Sequence, residues 1–153
     1  MPTVPLKTFL KKGFLEKTIR NSPEVAVAVD KAFRRRVIGL KGAALADFDR
    51  HPVTVELEKG PDATNTSGTL GGVGNLFSFI GFYNGDRPTK PVRELLKAYF
   101  NVVGRQTPRR SNKGVMSYRY SVSVPNVSNF DIVAKMPWED GNSWVKGVET
   151  GIS

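Results

Sequence analysis

The sequence predicts an α+β fold: a long N-terminal amphipathic helix packed on a small antiparallel sheet of three to four strands, with a second helix and extended loops. Three observations predict it. Val25, Val29, Phe33, Val37, Leu40 and Ala44 recur every three or four residues, the period of one helix face. Val92, Leu95, Leu96, Tyr99 and Val103 repeat that period later in the chain. In "VMSYRYSVSVP", Met116, Tyr118, Tyr120, Val122 and Val124 alternate with Ser117, Arg119, Ser121 and Ser123, the period of a half-buried strand. The elements run helix, loop, strand, helix, strand, strand, helix, an order that suits helices gathered on one face of an antiparallel sheet.

Residues 1–20 read as a basic arm and residues 21–153 as a single α+β domain. In the arm, Leu6, Phe9, Leu10 and Phe14 fall near helical spacing, which suits packing on its own domain or on a neighbouring subunit. The long helix is expected over Pro23–Asp49. Ser22 is a good N-cap, Pro23 suits the first helical position, and Glu24 complements the positive end of the helix. Its stop is His51-Pro52, because the residue before proline avoids helical angles. At 1.5 Å per residue such a helix is roughly 40 Å long, enough to reach between subunits.

Val53, Val55 and Leu57 alternate as one short strand, and "DATNTSGTLGGVG" reads as a mobile loop. "NLFSFIGFYNGD" reads as a strand closed by Asn84-Gly85, with Phe77 and Phe79 anchoring the loop to the core. The second helix ends at Gly104 as its C-cap. "RQTPRRSNKG" is then a basic loop without an apolar anchor. The alternating strand around Tyr118 turns at "PNVSN" into a partner strand, "FDIVAK", with Phe130, Ile132 and Ala134 on one side. Ser143 caps a short closing helix bearing Trp144, Val148 and Ile152.

Lys and Arg number 23 against 14 Asp and Glu, a formal net charge of +9, which favours an acidic partner. There is no cysteine, so disulfides, thiolate chemistry and cysteine metal sites are excluded. No apolar run approaches the roughly 18 to 20 residues that span a bilayer, and the first residues lack the apolar core of a secretory signal. The expectation is a protein soluble when made, without a membrane partner.

The glycine run poses the main chemical question. A phosphate loop of the Walker type needs a lysine at a fixed offset, and none follows Gly68. A dinucleotide fingerprint needs a third glycine and a following helix, whereas "GVGNLF" lacks that glycine and reads into a strand. The expected role is a connector whose glycines permit tight backbone. His51 is the sole histidine, and a C-capping position explains it. Asp47 and Asp49 make a poor metal set, Glu56 and Glu58 beside Lys59 read as plain surface, and Glu139 and Asp140 read as a turn. No catalytic residue, cofactor or metal is expected.

Arg34, Arg35 and Arg36 fan around more than half the helix circumference, so they form no single reading face. Arg105, Arg109, Arg110 and Lys113 gather in one segment that can touch phosphates without reading sequence. Acidic protein surfaces are the preferred partners for these four, and a basic nucleic-acid-binding module is the alternative.

"ALADFDRHPVT" (residues 44–54), "TSGTLGGVGNLFSFIGF" (66–82) and the closing "MPWEDGNSWVKGVETGIS" resemble the small neck and tail-completion proteins of tailed bacteriophages. The additional Gly71, Gly72 and Gly74 and the insert "ELEKGPDATN" depart from that pattern. The resemblance implies a non-catalytic α+β virion subunit, assembled in the host cytoplasm. It implies a ring of identical copies, often a hexamer, at the neck or tail end, or a place in the baseplate. Partners would be further copies and the tail tube, sheath or connector proteins. The candidate contact residues are Arg105, Arg109, Arg110, Lys113, Gly71, Gly72 and Gly74.

Overall fold

A computed structural model of the chain describes residues 17–18, 22–106, 109–110, 116–138 and 141–150. The architecture is α+β. Helix α1 (Pro23–Arg50) leads into α2 (Pro52–Lys59) and a 3₁₀ turn (Gly60–Asp62), then α3 (Leu76–Ile80) and α4 (Thr89–Ala98). Strands β1 (Asn101–Arg105), β2 (Arg109–Arg110), β3 (Met116–Ser117) and β4 (Tyr120–Ser123) follow, and α5 (Val127–Val133) and α6 (Trp144–Thr150) close the described chain. The expected N-terminal arm lies outside the described residues except for Lys17 and Thr18. The fold divides into two compact units, residues 1–38 with 102–122 and residues 39–101 with 123–153.

The predicted start of α1 is present. Ser22 Oγ accepts the Val25 N–H at 3.3 Å, and the Ser22 hydroxyl donates to Glu24 at 2.6 Å. That bond, which favours the ionised form, holds the Glu24 carboxyl below its ordinary range. The inward side of α1 runs through Val25, Val29, Phe33, Val37, Lys41, Ala44 and Phe48, all half-buried or buried. Leu40, expected on that stripe, is exposed, and Lys41 takes its place by donating to the carbonyl of Lys97.

In the first unit, α1 meets a β-ribbon. Among the described residues the strands form two two-stranded ladders, β1 with β4 and β2 with β3, in place of one sheet of three to four. β2 and β3 are antiparallel, Arg109 opposite Ser117 and Arg110 opposite Met116. The Phe100 N–H donates to Ser123 at 2.8 Å and the Gln106 N–H to Arg119 at 2.9 Å, so β1 and β4 also run in opposite directions. β1 and β2 follow one another along the chain, as do their partners β3 and β4, so the described strands form one two-armed ribbon, interrupted at Tyr118 and Arg119 on one side. Gly104 lies inside β1 and does not cap α4; Val103, expected on the helix face, is a strand residue. The Tyr120 ring stacks on Phe33 of α1, with centroids 4.0 Å apart and planes within 10°. Arg105 Nη1 donates to the carbonyl of Ala26 at 3.2 Å. A ring stack and one charged hydrogen bond thus fix the ribbon to the helix.

The second unit holds the core, built from Val53, Leu57, Leu76, Phe77, Ile80, Val92, Ala134 and Trp144. Three segments that alternate like strands are helices here. His51 adopts the extended angles required before proline and becomes the N-cap of α2, with Pro52 opening the next helix. Val53, Thr54, Glu56 and Leu57 are then buried on one side of α2. Asn75 caps α3 by accepting the Ser78 N–H at 2.8 Å, and Gly81 closes it in the left-handed conformation. Phe77 is buried, whereas Phe79 is exposed and does not anchor the loop to the core. In "PNVSNFDIV" a reciprocal capping box between Asn126 and Asn129 starts α5. Phe130, Val133 and Ala134 turn inward and Ile132 outward. Ser143 precedes α6, where its carbonyl accepts the Gly147 N–H at 3.0 Å.

Asp49 at the end of α1 receives two bonds from Arg93 of α4, both 2.8 Å. This bidentate pair lowers the Asp49 carboxyl and raises the Arg93 guanidinium relative to their ordinary values. Gly81 is constrained twice. Its φ is +89°, and a Cβ there would stand 3.0 Å from Cδ1 of Trp138, whose indole N–H donates to the Ile80 carbonyl. Gly81→Ala is expected to lower unfolding stability by about 1–2 kcal/mol from the left-handed backbone alone. Urea unfolding of the two proteins measures it, and an unchanged midpoint would refute the assignment.

Candidate functional site

The glycine segment does lead into a helix, α3, contrary to the strand expected from its aromatic residues. The exposed anion site that this arrangement suggests is nonetheless filled from within. Glu56 of α2 is fully buried. Its Oε2 accepts the Ser67 N–H at 2.9 Å, and its Oε1 accepts the Leu76 N–H at 2.7 Å. One carboxylate therefore ties both ends of the loop and occupies the start of α3. Burial pushes the Glu56 carboxyl up. Hydrogen bonds from Ser67, Leu76 and Thr66 outweigh burial and hold it below its ordinary range. Sequence spacing had placed Glu56 on plain surface. The missed signal was its position between Val53 and Leu57, on the inner side of a helix begun by Pro52.

Between those ties the backbone reverses repeatedly. The Gly71 N–H reaches the Gly68 carbonyl at 3.3 Å, and the Val73 N–H reaches that of Leu70 at 3.2 Å. Gly71, Gly72 and Gly74 all have positive φ, and open space surrounds the place a Cβ would occupy. They serve backbone shape and not close approach. Val73 projects between them with 77% of its surface exposed.

The basic candidates lie on the ribbon of the other unit. Arg105 ends β1, and Arg109 and Arg110 form β2, so these three residues of the segment read as a loop are strand. Lys113 lies outside the described residues, as do Glu139 and Asp140. Arg119 sits on the opposite arm, where Tyr118, Tyr120 and Val122 are half-buried and Ser117, Arg119 and Ser121 are exposed. The structure thus places Arg105, Arg109 and Arg110 on one arm of the ribbon and Arg119 on the other.

A cavity of about 410 Å³ opens in the second unit among Phe48, Val53, Leu96, Phe130, Trp144 and Val148, with Asp47, His51 and Thr54 also lining it. Its volume suits a side-chain cluster or small apolar ligand. Asp47 is engaged with Arg50 at 2.8 Å, and Asp49 with Arg93. Among the described residues no three His, Cys, Asp or Glu side chains converge as a metal site, and no helix is long and apolar enough to cross a membrane. The arrangement offers apolar and cationic contact surfaces.

Comparison of the chain with protein-family models, with curated proteins and with solved structures found no match.

Proposed function

We propose that the chain is a structural virion protein of a tailed bacteriophage, forming an oligomeric ring at the neck or tail and contacting tail tube, sheath or connector proteins. The observation that carries this reading is the state of α1. It has 28 residues, and Val37 alone is buried. Val27 and Ile38 are 66% and 70% exposed. They stand eleven residues apart, three turns, and so share one side of the helix. A helix of this length draws its stability from packing an apolar face; its inner stripe meets the chain itself, whereas Val27 and Ile38 lie off that stripe and the described residues leave them uncovered. Neighbouring subunits supply that cover in a ring, where one surface meets a different surface of the next copy. Among the described residues the β1–β4 ladder has two strands, and a strand from a neighbour would extend it toward the three- to four-stranded sheet that the sequence predicts. Gly71, Gly72 and Gly74 and the basic residues Arg105, Arg109, Arg110 and Lys113 are the remaining contact residues of this reading.

Native mass spectrometry of the full chain is expected to show a discrete oligomer, and the double variant Val27→Asp/Ile38→Asp a monomer with unchanged helical circular dichroism. A wild-type protein that stays monomeric at every concentration would overturn the reading.

A further inference from the structure

The outer side of α1 and the cavity of the second unit are opposite in shape and in charge. Ile38 is 70% exposed. Gly39 and Gly42 flank it, and nothing stands within 4 Å of the place a Cβ would occupy on either. Ile38 is therefore one large apolar side chain standing above bare helix. Lys31, Arg34 and Arg35, all exposed, precede it at spacings of three, four and seven residues and so share its side. Arg34 is paired with Asp30, whereas Lys31 and Arg35 make no ion pair among the described residues. Val27, also on this side, is flanked one turn away by Glu24 and Lys31 and has no such clearance. The cavity, of about 410 Å³, is walled by Leu96, Phe130, Trp144 and Val148. Its described lining holds one carboxylate, Asp47, and no Lys or Arg. Asp47 meets Arg50 of its own helix, but both side chains are about three-quarters exposed, at 73% and 76%, so that pair is weak and exchangeable.

We propose that Ile38 of one copy seats in this cavity of the next copy, with Lys31 and Arg35 turned toward Asp47. This pairing, which rests on the ring reading above, supplies the two unlike surfaces that a head-to-tail contact needs. Ile38 cannot enter the cavity of its own chain. Ten residues of continuous helix separate it from Phe48 in the cavity wall, about 15 Å along a rigid rod. Charge favours the same arrangement. The first unit carries fourteen Lys and Arg against three Asp and Glu, and the second nine against eleven. The field between copies therefore repels like units and draws the first unit of one copy to the second unit of its neighbour. Each seated Ile38 leaves its own cavity free for a further copy, so the contact repeats until the ring closes. An apolar anchor in a dry pocket with charges at its rim is the usual build of a contact that carries most of an interface's affinity.

The test is cross-linking between full-length copies. The chain has no cysteine, so Ile38→Cys and Val148→Cys each carry a single thiol. The two proteins are assembled together and treated with a short bismaleimide. The expected product is a covalent dimer containing one of each, which neither protein gives alone. A second measurement uses exposed charges and leaves the cavity wall intact. Asp47→Lys and Arg35→Glu are each expected to weaken self-association about fivefold, the effect of one exposed ion pair. Combined in one chain they should restore it. An oligomer in native mass spectra that yields no mixed dimer would overturn the pairing and leave the ring reading standing. A chain monomeric at every concentration would overturn both. Val148→Cys joined to Phe9→Cys in place of Ile38→Cys would put residues 1–20 in the cavity and refute the pairing. Charge variants whose losses simply add would refute it too.

Discussion

Glu56→Gln is expected to destabilise the second unit by about 3 kcal/mol at neutral pH. The wild-type carboxylate accepts N–H bonds from Ser67 and Leu76 with its two oxygens, inside a site closed to solvent. An amide keeps one acceptor oxygen and turns a donor NH₂ toward the second N–H. One buried backbone donor is then unsatisfied and a charge-assisted bond is lost, each a matter of about 1.5–3 kcal/mol. The pH dependence has a definite sign. The folded Glu56 carboxyl lies below its unfolded value, so its contribution is complete above the ordinary glutamate range and disappears as pH falls through the folded value. Urea titrations at neutral and acidic pH should show the wild-type protein losing its advantage over Glu56→Gln on acidification. Equal stabilities at neutral pH would show that the carboxylate does not hold the loop.

Phe77→Ala is the second large effect, about 3–5 kcal/mol. Phe77 is 1% exposed and packs beside Leu57, Leu76 and Ile80, with its ring 5.4 Å from that of Phe82. Removal of the ring leaves a void that α2 and α3 cannot both close, because Glu56 holds them in register. Phe79, two residues on, is 54% exposed. Phe79→Ala should change stability by no more than about 0.5 kcal/mol. Thermal or urea unfolding of the pair checks both, and similar losses in the two variants would contradict the placement of α3.

The contrast between Phe77 and Phe79 also shows what the sequence could and could not reveal. α1 was legible almost to its last residue because 28 residues allow a 3.6-residue period to repeat many times, and Ser22, Pro23 and Pro52 mark its ends. α2, α3 and α5 have 8, 5 and 7 residues. Over so few positions an alternating and a helical pattern coincide, and apolar, β-branched composition pulls the reading toward strand. The decisive information lay in the caps. Pro52 opens α2, Asn75 and Gly81 bracket α3, and Asn126 with Asn129 forms the box of α5. In each case end residues with a defined hydrogen-bonding duty outweighed the composition between them. The ribbon was half legible. The alternation was correct in its facing from Ser117 to Val122 and fails at Ser123, which is half-buried, and Val124, which is exposed; its partner is the preceding basic segment and not the following one. Of the contact residues, the glycines were visible as punctuation. The carboxylate that ties their loop was not, because its partners lie 11 and 20 residues away.

The double tie at Glu56 separates the fate of the loop from that of the core. Chain ends already clamped at Ser67 and Leu76 make the intervening stretch a closed handle, and each doubling of such a handle's length costs only about 0.6 kcal/mol in closure entropy. The bend at Gly71–Gly72 is therefore a natural port for splicing in a foreign epitope or fluorophore-binding tag, with the hydrophobic interior left as it was.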